Sequence, residues 1–218
     1  MGEALAWAFA RAGWGVAVAD RDAAQVEARA AALRGAGHEV LALATDLTDP
    51  AATDSALARV RDGFGSLDAL VCAAGGFGMT GALDESDPTA WHRQFAINLT
   101  TAYLATRAAL PLLRARRGAI VYFGSVAALP GGNPSGMAAY AAAKAGVLAL
   151  MQAVARQERD AGVRANAVAP TAIRTAANEE AMGHDAAYVE RDEVAGAVLW
   201  LCSDATRAIT GQVIRLGS

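Results

Sequence analysis

The sequence Ala119-Ile-Val-Tyr-Phe-Gly-Ser125, then Leu-Pro-Gly-Gly-Asn-Pro-Ser-Gly from Leu129 to Gly136, then Tyr140-Ala-Ala-Ala-Lys144, is the stretch that decides the fold. Ala119 to Phe123 is a short apolar run with β-branched and aromatic residues, the pattern of a buried strand. The Gly- and Pro-rich loop can continue neither a strand nor a helix, so Ser125 falls just beyond a strand's carboxyl end. From Met137 the pattern turns helical, and Tyr140 and Lys144, four residues apart, share one face. A phenol titrates near ~10 and exchanges protons poorly at neutral pH, but an ammonium one turn away favours the phenolate. The pair is expected to form a general acid/base, with Ser125 orienting a substrate oxygen beside it. The spacing of Tyr140 and Lys144 alone would equally suit an ordinary amphipathic helix. The strand, the serine and the loop ahead of it favour the chemical reading.

Working outward, 218 residues suit a single α/β domain spanning 1–218 with a sizeable core. A formal charge of −3 with 54% hydrophobic residues argues against disorder and against a surface for polyanions, so no nucleic-acid partner is expected. The one dense basic run, Arg114-Ala-Arg116-Arg117, falls at a helix C-terminus, where the dipole favours cations. Cys72 and Cys202 stand alone, which suits a reducing cytoplasm, and His38, His92 and His184 lack metal-ligand spacing, so no metal is expected. No apolar run of membrane-spanning length and no signal segment is read. A soluble, cytoplasmic protein is expected.

Strand and helix patterns alternate along the chain. A helix from Gly2 to Ala12 ends at Gly13; strands run Val16–Ala19, Val40–Ala44, Leu67–Cys72, Val163–Ala169 and Gln212–Leu216. Helices are expected at Ala23–Arg34, after Pro50, and at Asp192–Ser203. A long helix from Pro88 to Arg116 should kink or restart at Pro111. Such alternation calls for a doubly wound, Rossmann-type parallel sheet covered on both faces. Ligands bind beyond the carboxyl ends of its strands, where Asp20, Asp46, Ala73 to Gly76, Ser125 and Pro170-Thr171 stand.

The block from Ile120 to Ser125 followed by Tyr140-Ala-Ala-Ala-Lys144-Ala-Gly resembles the short-chain dehydrogenase/reductase family. The resemblance covers nearly the whole chain from Gly2. It implies an oxidoreductase that moves a hydride between a nicotinamide and a carbonyl or alcohol. It implies catalytic roles for Ser125, Tyr140, Lys144 and Asn98: Tyr140 as acid/base, Ser125 orienting the oxygen, and Asn98 holding a relay water. Lys144 is implied to lower the Tyr140 pKa and to bind the nicotinamide ribose. Asp20 resembles the ribose-binding acid, which accepts both hydroxyls and repels the phosphate of NADP, so NAD is favoured over NADP; an N-cap role would suit it as well. Asp46-Leu47 resembles the adenine-contacting pair, with a turn before Pro50 as the rival reading. Cys72-Ala73-Ala74-Gly75 stands where the family often carries Asn-Asn-Ala-Gly, and its small residues would admit the adenosine ribose. Pro170, Ile173 and Thr175 resemble the segment facing the carboxamide.

The resemblance also implies a central strand and a Gly-rich phosphate turn ahead of the first helix, with Gly2 at the turn's last glycine. The chain is read as lacking that first strand, and the natural protein is expected to start upstream. A face of the Tyr140 helix with Gly146, Ala149 and Ala153 would allow close helix approach, and the resemblance implies that this helix joins subunits into a homo-oligomer, a tetramer above a dimer. The rival to an enzyme on a small carbonyl or alcohol is a non-catalytic Rossmann-fold protein with an assembly or ligand-sensing role.

Overall fold

A computed structural model describes residues 1–217. Helices and strands alternate: α1 (Gly2–Arg11), β1 (Val16–Asp20), α2 (Ala23–Gly35), β2 (Val40–Ala44), α3 (Pro50–Phe64) and β3 (Ala69–Cys72). Then come α4 (Pro88–Phe95), α5 (Thr101–Arg116), β4 (Ala119–Phe123), α6 (Ala138–Gln157), β5 (Arg164–Pro170) and β6 (Ala172–Ile173). The chain closes with α7 (Ala176–Met182), β7 (Tyr188–Val189), α8 (Arg191–Cys202) and β8 (Val213–Leu216). Local chemistry sets many boundaries. Asp22, Asp49 and Asp87 accept backbone N–H groups at the starts of α2, α3 and α4, with Pro50 and Pro88 in the first turns. Glu190 and Glu193 form a capping box on α8.

The principal sheet is parallel, in the order β3-β4-β5-β8, and β1 pairs in parallel with β2. Among the described residues neither β1 nor β3 pairs on its other edge. Burial follows the pairing: β4 and β5, flanked on both sides, are buried at every position, while β1 and β3 are mostly half-buried. One face carries α1 and α8, where Leu5 and Phe9 pack with Val121, Val168, Val194 and Val198 and against Val16 and Val71. The other face carries α5 and α6, where Leu113, Val147 and Met151 pack on Ile120, Tyr122 and Ala165. The doubly wound α/β reading therefore stands.

Two expectations need correction, at Pro111 and at α6, and β6, β7 and α7 lay outside them. The helix expected from Pro88 to Arg116 is continuous, α4 passing into α5 through a π-segment at Ala96–Thr100, but the kink or restart expected at Pro111 is absent, since Pro111 lies inside an unbroken α5. Pro111 faces outward, so the loss of one helical hydrogen bond is absorbed without a break. The short parallel pair β6–β7 and the helix α7, capped by Thr175, were not foreseen; two-residue strands leave too little pattern to read. Finally, α6 is long and apolar enough to cross a membrane. Its apolar character serves the core instead, since Ala139, Ala143, Val147 and Met151 are buried against the sheet layer.

Candidate active site

The carboxyl ends of β3, β4 and β5 open into one cavity of about 190 Å³. Seven of the residues expected to hold a cofactor line it: Ala73, Gly75, Tyr140, Lys144, Pro170, Ile173 and Thr175. Asn98 joins them from the π-segment, and Phe123 and Gly124 come from the end of β4. Among the described residues that line the cavity, Lys144 is the one with a charged side chain.

The site assembles because α6 approaches the π-segment very closely. A Cβ on Gly146 would stand 2.8 Å from Leu99 Cδ2, so glycine lets α6 lie against the turn that carries Asn98 without displacing the Leu99 side chain. Asn98 is almost wholly buried at 1% exposure. Its Oδ1 accepts from Gly76 N–H at 3.2 Å and its Nδ2 donates to the Gly76 carbonyl at 3.0 Å. Gly75 takes φ +150° directly over this amide, and a Cβ there would fall 2.5 Å from Asn98 Oδ1 and 3.6 Å from Lys144 Nζ. A π-turn of this kind widens a helix by one residue, a distortion that recurs at functional sites.

Lys144 is buried, and Nζ donates to the Phe123 carbonyl at 2.9 Å while lying 5.8 Å from the centroid of the Tyr140 ring. Burial pulls the ammonium down to about 8. Tyr140 moves in the direction opposite to expectation. Burial pushes the phenol above its usual value, and the Ser125 hydroxyl draws it partly back; Lys144 is not among the causes. The physical reason is that desolvation outweighs an ammonium committed to the end of β4 and itself weakened by burial. Ser125 is buried beyond β4, where its hydroxyl accepts from Ala127 N–H at 3.3 Å at the start of a short turn and also engages the Tyr140 phenol.

The remaining expected residues do not reach the cavity: Gly2, Asp20, Asp46, Leu47 and Ala74 lie outside it. Asp20 ends β1, where its carboxylate pairs with Arg29 at 2.8 Å and accepts from Asp22 N–H at 3.2 Å. The N-cap of α2 is Asp22. Asp46 Oδ1 accepts from Thr48 N–H at 2.8 Å and from Thr48 Oγ1 at 2.7 Å, and these bonds hold its pKa below the usual value. Asp46 thus forms the turn ahead of Pro50. Sequence reasoning passed over Phe77, whose ring meets Tyr140 edge-on at 5.3 Å and 82°, and Asn178, which donates to the Ile173 carbonyl at 2.7 Å. An exposed aromatic beside Gly75-Gly76 was the only signal for Phe77.

A family model for enoyl-(acyl carrier protein) reductase matches residues 1–216. A 2-(S)-hydroxypropyl-CoM dehydrogenase 3 of Xanthobacter autotrophicus is 35% identical over 228 residues, covering 97% of this chain and 88% of that one. The chain belongs to the short-chain dehydrogenase/reductase family. An inactive 2-(S)-hydroxypropyl-CoM dehydrogenase 2 from the same organism is 42% identical over 184 residues, 84% of this chain and 77% of its own. Among solved structures, a gluconate 5-dehydrogenase from Burkholderia cenocepacia J2315 in complex with NADP and tartrate superposes with a TM-score of 0.90 at 26% identity. That likeness covers 98% of this chain and 88% of the other. Members of this family are oxidoreductases acting on alcohols and carbonyls with nicotinamide cofactors.

Proposed function

We propose that the protein, acting as one domain over residues 1–218, interconverts a carbonyl and an alcohol by hydride transfer with a nicotinamide dinucleotide. One observation carries the reading: Tyr140, Lys144, Asn98 and the Gly75 turn meet in a single cavity beyond the strand ends. The cavity suits a dinucleotide's nicotinamide end, because the side-chain-free Gly75 backbone closes directly over Asn98 and Lys144, where a Cβ would meet Asn98 Oδ1 at 2.5 Å. Lys144, Tyr140, Ala73, Gly75, Pro170, Ile173 and Thr175 would hold that end. By resemblance, Gly2, Asp20, Asp46, Leu47 and Ala74 would serve the phosphate and adenosine end, and the Asp20 carboxylate favours NAD over NADP. When bound, the dinucleotide supplies the hydride donor or acceptor.

The chain's own residues carry the proton. Tyr140, protonated at neutral pH, donates to a carbonyl oxygen or, in the reverse direction, receives the alcohol proton. Ser125 orients that oxygen from the end of β4. Lys144, with an ammonium lowered toward neutrality, passes protons to and from the Tyr140 side, and Asn98 fixes the turn behind it. The partners are a small carbonyl or alcohol substrate and further copies of this chain in a cytoplasmic homo-oligomer, a tetramer above a dimer. Ala149 and Ala153 are exposed on α6 as that assembly requires.

A relative of 42% identity called inactive supports a second reading, a non-catalytic protein that retains the fold for assembly or ligand sensing. One experiment separates the two. The wild type should turn over secondary alcohols with NAD faster than with NADP, and Tyr140→Phe should lose that turnover while keeping its fold by circular dichroism. Near-native kcat in the variant would overturn the assignment of Tyr140, and no turnover in the wild type would favour the second reading.

A further inference from the structure

Gln94 lies at the end of α4, one turn before Asn98, and is only 6% exposed. Its Oε1 accepts from Asn98 Nδ2 at 3.0 Å, beside its own backbone carbonyl at 3.1 Å and the Gly76 carbonyl at 3.0 Å. The Asn98 amide therefore faces three acceptors on its nitrogen side and one N–H donor on its oxygen side. Turning it over would set oxygen against three oxygens, so its orientation is fixed. The other end of Gln94 meets the same loop. A Cβ on Gly78 would stand 2.5 Å from Gln94 Nε2, so the chain rests directly on that amide.

Between the two contacts stands Phe77. Asn98 grips Gly76 on one side of it, and Gln94 abuts Gly78 on the other. Although 47% exposed, its ring lies edge-on against Tyr140.

We propose that Gln94 is a positioning residue: it fixes the Asn98 amide and the 75–78 loop, and through that loop it holds Phe77 as the cover of Tyr140. Its catalytic consequence rests on the oxidoreductase reading above; its hold on the loop does not. A leucine at 94 fills similar space but offers no acceptor and no flat amide to the loop, whereas a glutamate keeps the acceptor.

Amide hydrogen exchange followed by mass spectrometry tests this in the full chain. Gln94→Leu should exchange the peptide 74–79 about tenfold faster, the worth of one net buried hydrogen bond, with the α6 peptide unchanged. Gln94→Glu should restore most of the protection. Gly78→Ala, which presses on Gln94 from the loop side, should loosen the same peptide, and it serves where the leucine variant folds poorly. With substrate, Gln94→Leu should lower kcat about tenfold and move KM less, because the cover of Tyr140 is misplaced while the cavity walls remain. Unchanged exchange of 74–79 in both Gln94→Leu and Gly78→Ala overturns the proposal, as does equal loosening of α6, which would assign Gln94 to general packing. A wild type without turnover refutes the oxidoreductase reading instead, and the exchange data still decide whether Gln94 holds the loop.

Discussion

Replacing Gly75 by alanine tests how the cavity wall is built. The new Cβ would sit 2.5 Å from Asn98 Oδ1, roughly 1 Å inside ordinary contact, at a backbone φ of +150° that L side chains avoid. Backbone strain of this kind costs about 1–3 kcal/mol. Asn98 cannot yield cheaply, since moving its Oδ1 breaks the bond from Gly76 N–H and disturbs the bonds on Nδ2, adding about 1 kcal/mol. The total, about 2–4 kcal/mol, corresponds to a melting point lower by about 5–15 °C for a chain of this size. Gly76→Ala is the internal control: its Cβ would meet only Ile97 Cδ1, at 3.4 Å, and its φ is not positive. That change should stay within about 1 kcal/mol. Thermal melts followed by circular dichroism, with urea titrations for the free energies, compare the two variants. Melting points within about 2 °C of one another would refute the steric account of the Gly75 turn.

Two further outcomes are expected. The unfolded chain holds the Lys144 proton up to ~10.4, while the folded chain releases it near 8, so between those values the unfolded state binds more protons and stability rises with pH. The buried Cys72 and Cys202 thiols, raised to about 12, act in the opposite sense in both chains, so the test is a difference: from pH 7.5 to 9.5 the urea midpoint of the wild type should gain on that of Lys144→Met, and parallel profiles would show that Lys144 is not held in a desolvated site. In solution the chain should be a homo-oligomer with a tetramer's mass by light scattering at micromolar concentration, and a monomer mass would refute that assembly.

The sequence by itself determined the elements whose signals are local. Strand β4 was legible from a five-residue apolar run, and the starts of α3 and α4 from an Asp followed by Pro, because caps and periodicity act within a few residues. The alternation of those elements fixed the doubly wound class, and the spacing of Tyr140 and Lys144 placed both on one helical face. Tertiary structure decided whatever depends on neighbours distant in the chain. The N-cap expected of Asp20 falls to Asp22, and Asp20 meets Arg29, nine residues on, only because α2 packs on β1. The Tyr140 phenol is raised and the Lys144 ammonium lowered because burial, which no spacing of residues encodes, outweighs their proximity. The π-segment, the Gln94 clamp and Phe77 over Tyr140 exist only once α4, α6 and the 75–78 loop pack together. Hydrogen bonds to a buried amide are set by which acceptors surround it, and three of them surround Asn98 Nδ2 only in the folded chain.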